Sequence, residues 1–407
     1  MSRITICAAD KPNQILEQTT DGARIAEILN GCGVRFERWQ ATHVLAYDAS
    51  QEDILDAYAD SVNRLKTECG FQTVDVIHMK ANHPQKKAFR EKFLDEHTHT
   101  EDEVRFFVEG EGMFYLHIED KVYMVLCQKG DLISVPANTT HWFDMGTQPE
   151  FTAIRFFNNP EGWVANYTGS TIAGDFPKMP FSNKAILLDI EGTTGSIEFV
   201  KEILFPYARN KMAEFIADNR NDAEVADILD RVAAEAGVDA SDDTALVNTL
   251  HAWIDQDRKV TELKELQGLI WEDGYKSGAY TAHVYVDARD CMNAWSQAGR
   301  YLFVYSSGSV KAQQMFYEHS DFGDIRSLFQ GYFDTNTGPK KEAASYTAIA
   351  SEMGYDPGEV LFLSDVTAEL DAARDAGMST GLLVRDGDKP EKFDHDCFYD
   401  FGEIEVL

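Results

Sequence analysis

Residues 96–110 read EHTHTEDEVRFFVEG. His97, His99 and Glu103 are all odd-numbered, and side chains alternate across an extended chain, so the three can point to one face. Branched and aromatic residues then fill the run up to Gly110, as in a strand. The style continues outward. Residues 104–117, VRFFVEGEGMFYLH, set Gly110 and Gly112 between two β-rich pieces. Residues 121–136, KVYMVLCQKGDLISVP, set Lys129-Gly130-Asp131 between two more. Turn residues at that spacing predict hairpin after hairpin, and so an antiparallel barrel or sandwich over 104–157. Upstream, Ile54, Tyr58, Val62 and Leu65 keep helical spacing and predict an amphipathic helix over 51–66.

A third histidine, His141, ends residues 130–141, GDLISVPANTTH. Three imidazoles and one carboxylate suit a borderline divalent ion such as iron, nickel or zinc. Four ligands on a six-coordinate ion leave two adjacent positions for a chelating substrate. Arg105 shares the parity of Glu103 and offers a fixed positive charge for an anionic oxygen. Arg155 is a second candidate for that role, and Phe93, Trp142 and Phe143 are expected to pack the barrel. His43, His78, His83 and His117 are expected on the surface or as satisfied core groups. On these residues, DEHTHTEDEVRFFVEGEGMFYLH and PANTTHWFDMG resemble the two cupin motifs and, more narrowly, acireductone dioxygenase of the bacterial type. The likeness runs over most of residues 1–180. It implies that His97, His99, Glu103 and His141 bind Fe2+ or Ni2+, and that the substrates are an acireductone with a methylthio tail and O2. Iron forms of that family give 4-methylthio-2-oxobutanoate and formate; nickel forms give methylthiopropanoate, formate and carbon monoxide. The ligand set is the same, so the residues do not choose.

Residues 174–183, GDFPKMPFSN, carry two prolines and little periodicity, and the domain boundary is expected there. Beyond it the rhythm changes. AILLD ends at Asp189, YLFVYSS at Ser306 and Ser307, and VLFLSD at Asp365. Such apolar runs read as buried parallel strands of an α/β domain, whose ligands bind at the carboxyl ends. A carboxylate there, Asp189, can attack phosphorus. Glu191 can protonate the leaving alcohol and then activate water. Gly192 permits a tight turn, and Thr193 and Thr194 offer backbone and hydroxyl donors. Ser306 and Ser307 offer donors to phosphate oxygens, and Lys340, in TGPKKEAASY, adds a positive charge. Asp365 can complete a Mg2+ site with Asp189 and Glu191. Lys341 reads as a solvated neighbour. A long helical stretch over about 200–300 is the candidate cap.

This order of segments resembles the haloacid dehalogenase phosphatases. LLDIEGTTGSIEFVKEILFPYA, LKELQGLIWEDGYKSG and LFLSDVTAELDAARDAGM narrow the likeness to enolase-phosphatase over 183–405, with Glu191 standing where the superfamily commonly has Asp. That leaves the share of Glu191 between acid-base work and backbone magnesium coordination open. The family enolises and dephosphorylates 2,3-diketo-5-methylthiopentyl 1-phosphate to the acireductone, the substrate of the first family. Glu191 and Lys340 are the candidates for the enolising base, and Trp271 and Tyr275 for the tail pocket or for core packing.

The 407 residues include 37 basic and 69 acidic side chains, a net charge of −32. Such a chain repels nucleic acid and anionic membranes, and no apolar run of about 18 residues predicts a membrane span. Asp10 interrupts the N-terminus where a signal peptide needs an apolar core, and six scattered cysteines fit reduced thiols, so a cytoplasmic monomer is expected. The fold class expected is multidomain. An all-β cupin barrel with flanking helices spans 1–180. An α/β haloacid-dehalogenase-like (Rossmann-like) core with a helical cap spans 183–407. The function expected is a bifunctional methionine salvage enzyme. The rival is a metal-loaded cupin sensor fused to a general small-molecule phosphatase.

Overall fold

A computed structural model describes every residue other than 42, 44, 47, 48, 81, 82, 159–162, 257, 259, 388–393 and 407. The chain divides into two units, Met1–Phe181 and Ser182–Val406. Among the described residues, no helix is long and apolar enough to cross a membrane.

The first unit holds two antiparallel sheets. One runs, edge to edge, Asn166–Tyr167, His97–Thr98, Thr140–Asp144, Glu111–Ile118, Lys121–Gln128, Arg3–Ala8 and Lys11–Thr19. The other runs Arg35–Arg38, Asp131–Val135, Glu103–Glu109, Phe151–Phe157 and Thr73–Met79. Phe114, Val125 and Phe143 of the first meet Phe107, Ile133 and Phe151 of the second in one buried cluster. Each such side chain contributes about 1.5–3 kcal/mol of transfer free energy.

The expected succession of hairpins is corrected. Glu103–Glu109 does not pair with Glu111–Ile118; it pairs with Phe151–Phe157 and Asp131–Val135. Lys121–Gln128 likewise does not pair with Asp131–Val135. Gly110 (φ +74°) and Gly130 (φ +92°) are corners where the chain passes from one sheet to the other. A Cβ on Gly110 would lie 1.9 Å from the Glu150 carbonyl, so the corner can close only on glycine. The tight hairpin joins Glu111–Ile118 to Lys121–Gln128 through Glu119 (φ 57°) and Asp120, a turn without glycine. The expected helix over 51–66 is two helices, Gln51–Ala57 and Ala59–Cys69. They break at Tyr58, whose ring is anchored 5.0 Å from Phe106. Ile54, Tyr58, Val62 and Leu65 all remain on the buried side.

The second unit is built on a parallel sheet ordered Phe329–Phe333, Tyr301–Tyr305, Ala185–Leu188, Val360–Ser364, Ser379–Leu383, Asp396–Phe398. Counted along the chain this is 3-2-1-4-5-6, so the crossover direction reverses between Ala185–Leu188 and Val360–Ser364. Open α/β sheets bind ligands at the carboxyl ends of the strands on either side of such a reversal. Asp189 and Asp365 follow them directly.

Four helices, Phe205–Asn219, Ala223–Ala236, Asp243–Asp255 and Thr261–Ser277, share a core of their own around Met212, Leu229, Leu250 and Leu266. The cap expected to reach about residue 300 ends with this cluster. Helix Val286–Gln297 packs beside Tyr301–Tyr305 and sets Trp295 against Phe401, so it belongs to the sheet.

Candidate active sites

In the first unit the register does the positioning. His141 stands opposite His97 across the pairing of Thr140–Asp144 with His97–Thr98. Glu103 and Arg105 project from the same face of Glu103–Glu109. The ligand atoms of His97, His99, Glu103 and His141 all lie within 4.8 Å of one another, and all four residues are buried.

Each ring is held from behind by a carbonyl: His97 Nδ1 by Asp95 at 2.7 Å, His99 Nδ1 by Val164 at 2.9 Å and His141 Nδ1 by Thr139 at 2.7 Å. A carbonyl can only accept, so every Nδ1 carries its hydrogen, and each neutral ring turns an unprotonated Nε2 away from its carbonyl. His99 Nε2 and His141 Nε2 then lie 2.9 and 3.1 Å from Glu103 Oε2. Lone pairs at that distance need a proton or a metal ion between them. Burial, followed by the neighbouring His141, pushes His97 down to about 4, which keeps it an unprotonated donor near neutrality. Burial would raise Glu103, but Arg105 and the two imidazoles outweigh it and hold the carboxyl well below its usual range. The donor set, its tautomers and its spacing fit a divalent transition metal.

Arg105 Nη2 lies 2.7 Å from Glu103 Oε1, and its Nε has no hydrogen-bond partner among the described residues. Its guanidinium rests 4.3 Å from the Phe143 ring centroid and 5.8 Å from that of Phe93. Trp142 stacks on Tyr115, away from the metal ligands. Arg155 stands opposite Arg105 in the register, but Asp75 engages it bidentately at 2.8 and 2.7 Å.

In the second unit the nucleophile candidate, Asp189, is buried and surrounded by donors. Its Oδ1 accepts from Lys340 Nζ at 2.7 Å and from the Ile190 N–H at 2.8 Å; its Oδ2 accepts from Ser364 Oγ at 3.0 Å. Ser306 Oγ donates to Glu191 Oε2 at 3.2 Å. Gly192 (φ +76°) lets the turn fold against Asp365, whose Oδ2 would lie 2.2 Å from a Cβ placed on that glycine. The Asp365 Oδ1 atom is buried without a hydrogen-bond partner among the described residues. Burial and then Asp189 raise Glu191, and the same two causes raise Asp365 to about 6. Half-buried carboxylates that repel one another beside the buried Asp189, one with an unmatched oxygen, fit a hard divalent cation.

The structure brings Asp189, Glu191, Asp365, Ser306 and Lys340 to one end of the sheet. Ser307 is exposed at the same strand end. Thr193 and Thr194 differ from expectation, because their hydroxyls face inward. Thr193 Oγ1 accepts from the Asp365 N–H at 3.0 Å, and Thr194 Oγ1 donates to the Asp189 carbonyl at 3.0 Å, so both brace the turn. Trp271 Nε1 donates to the Leu204 carbonyl, and Tyr275 is buried against Tyr280 and His319, which makes both packing residues of the cap.

Sequence reasoning missed Glu369. Its carboxylate lies 2.7 Å from Lys340 Nζ and 3.3 Å from Ser364 Oγ, whose one hydrogen it shares with Asp189. The signal was present in SDVTAEL, where Glu369 follows Asp365 by one helical turn.

Comparison with known proteins gives two matches end to end. Residues 3–165 match the model of the ARD/ARD' family, and residues 183–377 that of the haloacid dehalogenase-like hydrolases. The chain is 56% identical over 180 residues to an acireductone dioxygenase of Enterobacter sp. (strain 638), 44% of this chain and the whole of that protein. It is 52% identical over 223 residues to an enolase-phosphatase E1 of Thioalkalivibrio sulfidiphilus, 55% of this chain and 99% of that protein. It is also 53% identical over 204 residues to an enolase-phosphatase E1 of Methylococcus capsulatus, 50% of this chain and 90% of that one.

Proposed function

The chain belongs to the acireductone dioxygenases through its first unit and to the enolase-phosphatases through its second, a bifunctional enzyme of methionine salvage, and from that premise we propose how the two sites divide the work. The second unit enolises and dephosphorylates 2,3-diketo-5-methylthiopentyl 1-phosphate. The first unit cleaves the resulting acireductone with O2.

In the second unit Asp189 attacks phosphorus, and the bond from phosphorus to the substrate oxygen breaks. Glu191, whose affinity for a proton is raised by burial and then by Asp189, delivers a proton to that oxygen. It then takes a proton from the water that hydrolyses the aspartyl-phosphate, and inorganic phosphate leaves. Ser306 and Lys340 hold the phosphate oxygens. Magnesium, held by the carboxylates of Asp189 and Asp365 and by the Glu191 backbone carbonyl, would neutralise the charge of carboxylates and phosphate together.

In the first unit, iron or nickel held by His97, His99, Glu103 and His141 would supply two open positions to the substrate and the electronic partner for O2. Arg105, with its unpaired Nε, receives an anionic oxygen of the enediolate, and the rings of Phe93 and Phe143 keep water from it.

The observation that carries this reading is the pairing itself: one chain joins two families of which one makes what the other consumes. Adding the diketo phosphate and magnesium to the full chain tests it. An ultraviolet band of the enolised product should rise with phosphate release, then fade when iron and O2 are supplied. His97→Ala should abolish only the fading, and Asp189→Asn the phosphate release. A parent chain that releases phosphate without the band would point to the general phosphatase instead.

A further inference from the structure

Arg385 follows the strand Ser379–Leu383 by two residues and takes no part in the chemistry above. Its side chain is 9% exposed. Nη2 and Nε both donate to the Thr193 carbonyl, at 2.7 and 3.1 Å, and Nη1 donates to Asp287 Oδ2 at 2.6 Å. The guanidinium lies 4.0 Å from the centroid of the Tyr285 ring. An arginine offers its donors in a rigid fork, so three such bonds fix two partners relative to each other.

Those partners are not incidental. Thr193 lies in the turn that carries Glu191: its N–H donates to the Ile190 carbonyl at 3.1 Å, and its hydroxyl receives the Asp365 N–H at 3.0 Å. Tyr285 and Asp287 lie where the chain returns from the cap to the sheet, at the bridge between Gly195 and Val284. The Tyr285 N–H also donates to the Thr194 carbonyl at 3.0 Å. Asp287 Oδ2 accepts the Phe401 N–H at 2.8 Å and is thereby fixed to the sheet side as well.

We propose that Arg385 is a positioning residue of the phosphatase centre. It clamps the Thr193 carbonyl to the cap's return segment, holds the turn of Glu191 against Asp365, and so sets the geometry in which the unit binds its divalent cation. The proposal rests on reading the second unit as the phosphatase.

Magnesium titrated calorimetrically into the full chain, without substrate, reads binding apart from turnover, with Asp365→Asn as the blank. Arg385→Met should weaken magnesium about 10-fold, the scale seen when a partner of a metal ligand is lost. Arg385→Lys keeps a cation for Asp287 but cannot span both partners, and about a 3-fold loss is expected. Dioxygenase turnover of the same molecules should not change. An unchanged magnesium affinity in the lysine variant overturns the proposal. So does a loss of binding stoichiometry at constant affinity in both variants, which is what a purely architectural brace would give. If the parent binds magnesium and the variants bind it more weakly, yet no chain releases phosphate from the diketo substrate, the clamp stands and the substrate assignment falls.

Discussion

The two sites solve opposite electrostatic problems. In the first unit the donors are neutral imidazoles locked from behind by the carbonyls of Asp95, Thr139 and Val164, and the one carboxylate is matched by Arg105. In the second, Asp189, Glu191, Asp365 and Glu369 crowd the ends of two neighbouring strands, and among the described residues Lys340 is the cation paired with Asp189 and Glu369. The first site orients its three rings through hydrogen bonds that no ion is needed to make, and only the contacts of Glu103 with His99 and His141 call for a proton or a metal. The second accumulates repulsion, so its cation must relieve charge as well as position substrate. One centre is made by backbone register, the other by a charge balance.

The largest test of that contrast is Asp189→Asn. It removes the nucleophile, so phosphate release should fall by about 10^4-fold or more, measured as inorganic phosphate at saturating magnesium. The same change removes the negative charge that, after burial, raises the proton affinity of Glu191, Asp365 and Glu369. The metal-free variant should therefore unfold at a temperature no lower than the parent. Marked destabilisation would show that the carboxylates do not strain the unit.

Glu103→Gln is the counterpart in the first unit. It keeps the shape but removes the only negative charge among the four ligands and leaves Arg105 buried without its partner. Bound transition metal, measured by elemental analysis, and dioxygenase turnover should both fall by about 10^3-fold, with phosphate release untouched. Retention of metal would mean that the three imidazoles suffice and that the carboxylate serves the chemistry alone.

How much of this could be read beforehand divides along the same line. The nucleophile strand, the serine strand and VLFLSD were legible because buried parallel strands are continuous apolar runs that end abruptly in polar residues. The histidines were legible because the parity of a strand is written in residue numbers. The pairing of the β strands was not. Gly110 and Gly130 look like hairpin turns in a one-dimensional reading. Whether such a glycine turns back on its own strand or crosses to another sheet depends on what lies across from it, here Glu150 and Phe151 for Gly110. Glu369 was missed because its partner Lys340 is remote in sequence, and Arg385 because its work is done on a backbone carbonyl. Thr193 and Thr194 were placed at the right turn with the wrong orientation, since a hydroxyl facing inward and one facing outward leave the same letter.

Acidity should separate the units next. In the metal-free chain His97 falls from 6.5 to about 4, so between those values the unfolded state binds more protons than the folded one and the first unit loses stability as pH drops. The carboxyl of Glu103, held low, adds to this only as pH falls below its ordinary value of 4.5, and His99, raised, opposes it. In the second unit burial and then Asp189 raise Glu369 from 4.5 to about 7, and Asp365 goes from 3.8 to about 6. There the folded state binds more protons, and stability is lost as pH rises through the same range. Calorimetry in chelator at pH about 5.5 and 7 should show two transitions that move in opposite directions, by about 1–2 kcal/mol each after allowance for solvent screening. Magnesium should raise one transition, which identifies it, and flatten its pH dependence. Transitions that move together would remove the contrast.

The smallest expected effect discriminates between two adjacent serines. Ser306 is buried, donates to Glu191 Oε2 at 3.2 Å and accepts the Gly308 N–H at 3.1 Å. Ser306→Ala would remove a donor from the half-buried Glu191 carboxyl and from a phosphate oxygen of the bound substrate, which costs about 1.5–3 kcal/mol, or roughly 10- to 100-fold in kcat/KM. Ser307 is exposed at the same strand end. A hydroxyl in water gains little by exchanging a water for a phosphate oxygen, so Ser307→Ala should change kcat/KM by less than about 3-fold. A larger loss, carried in KM with kcat unchanged, would mean that Ser307 meets the phosphate once substrate has excluded water. The strand end would then supply two phosphate donors, and the charge balance at this site would depend less on Lys340.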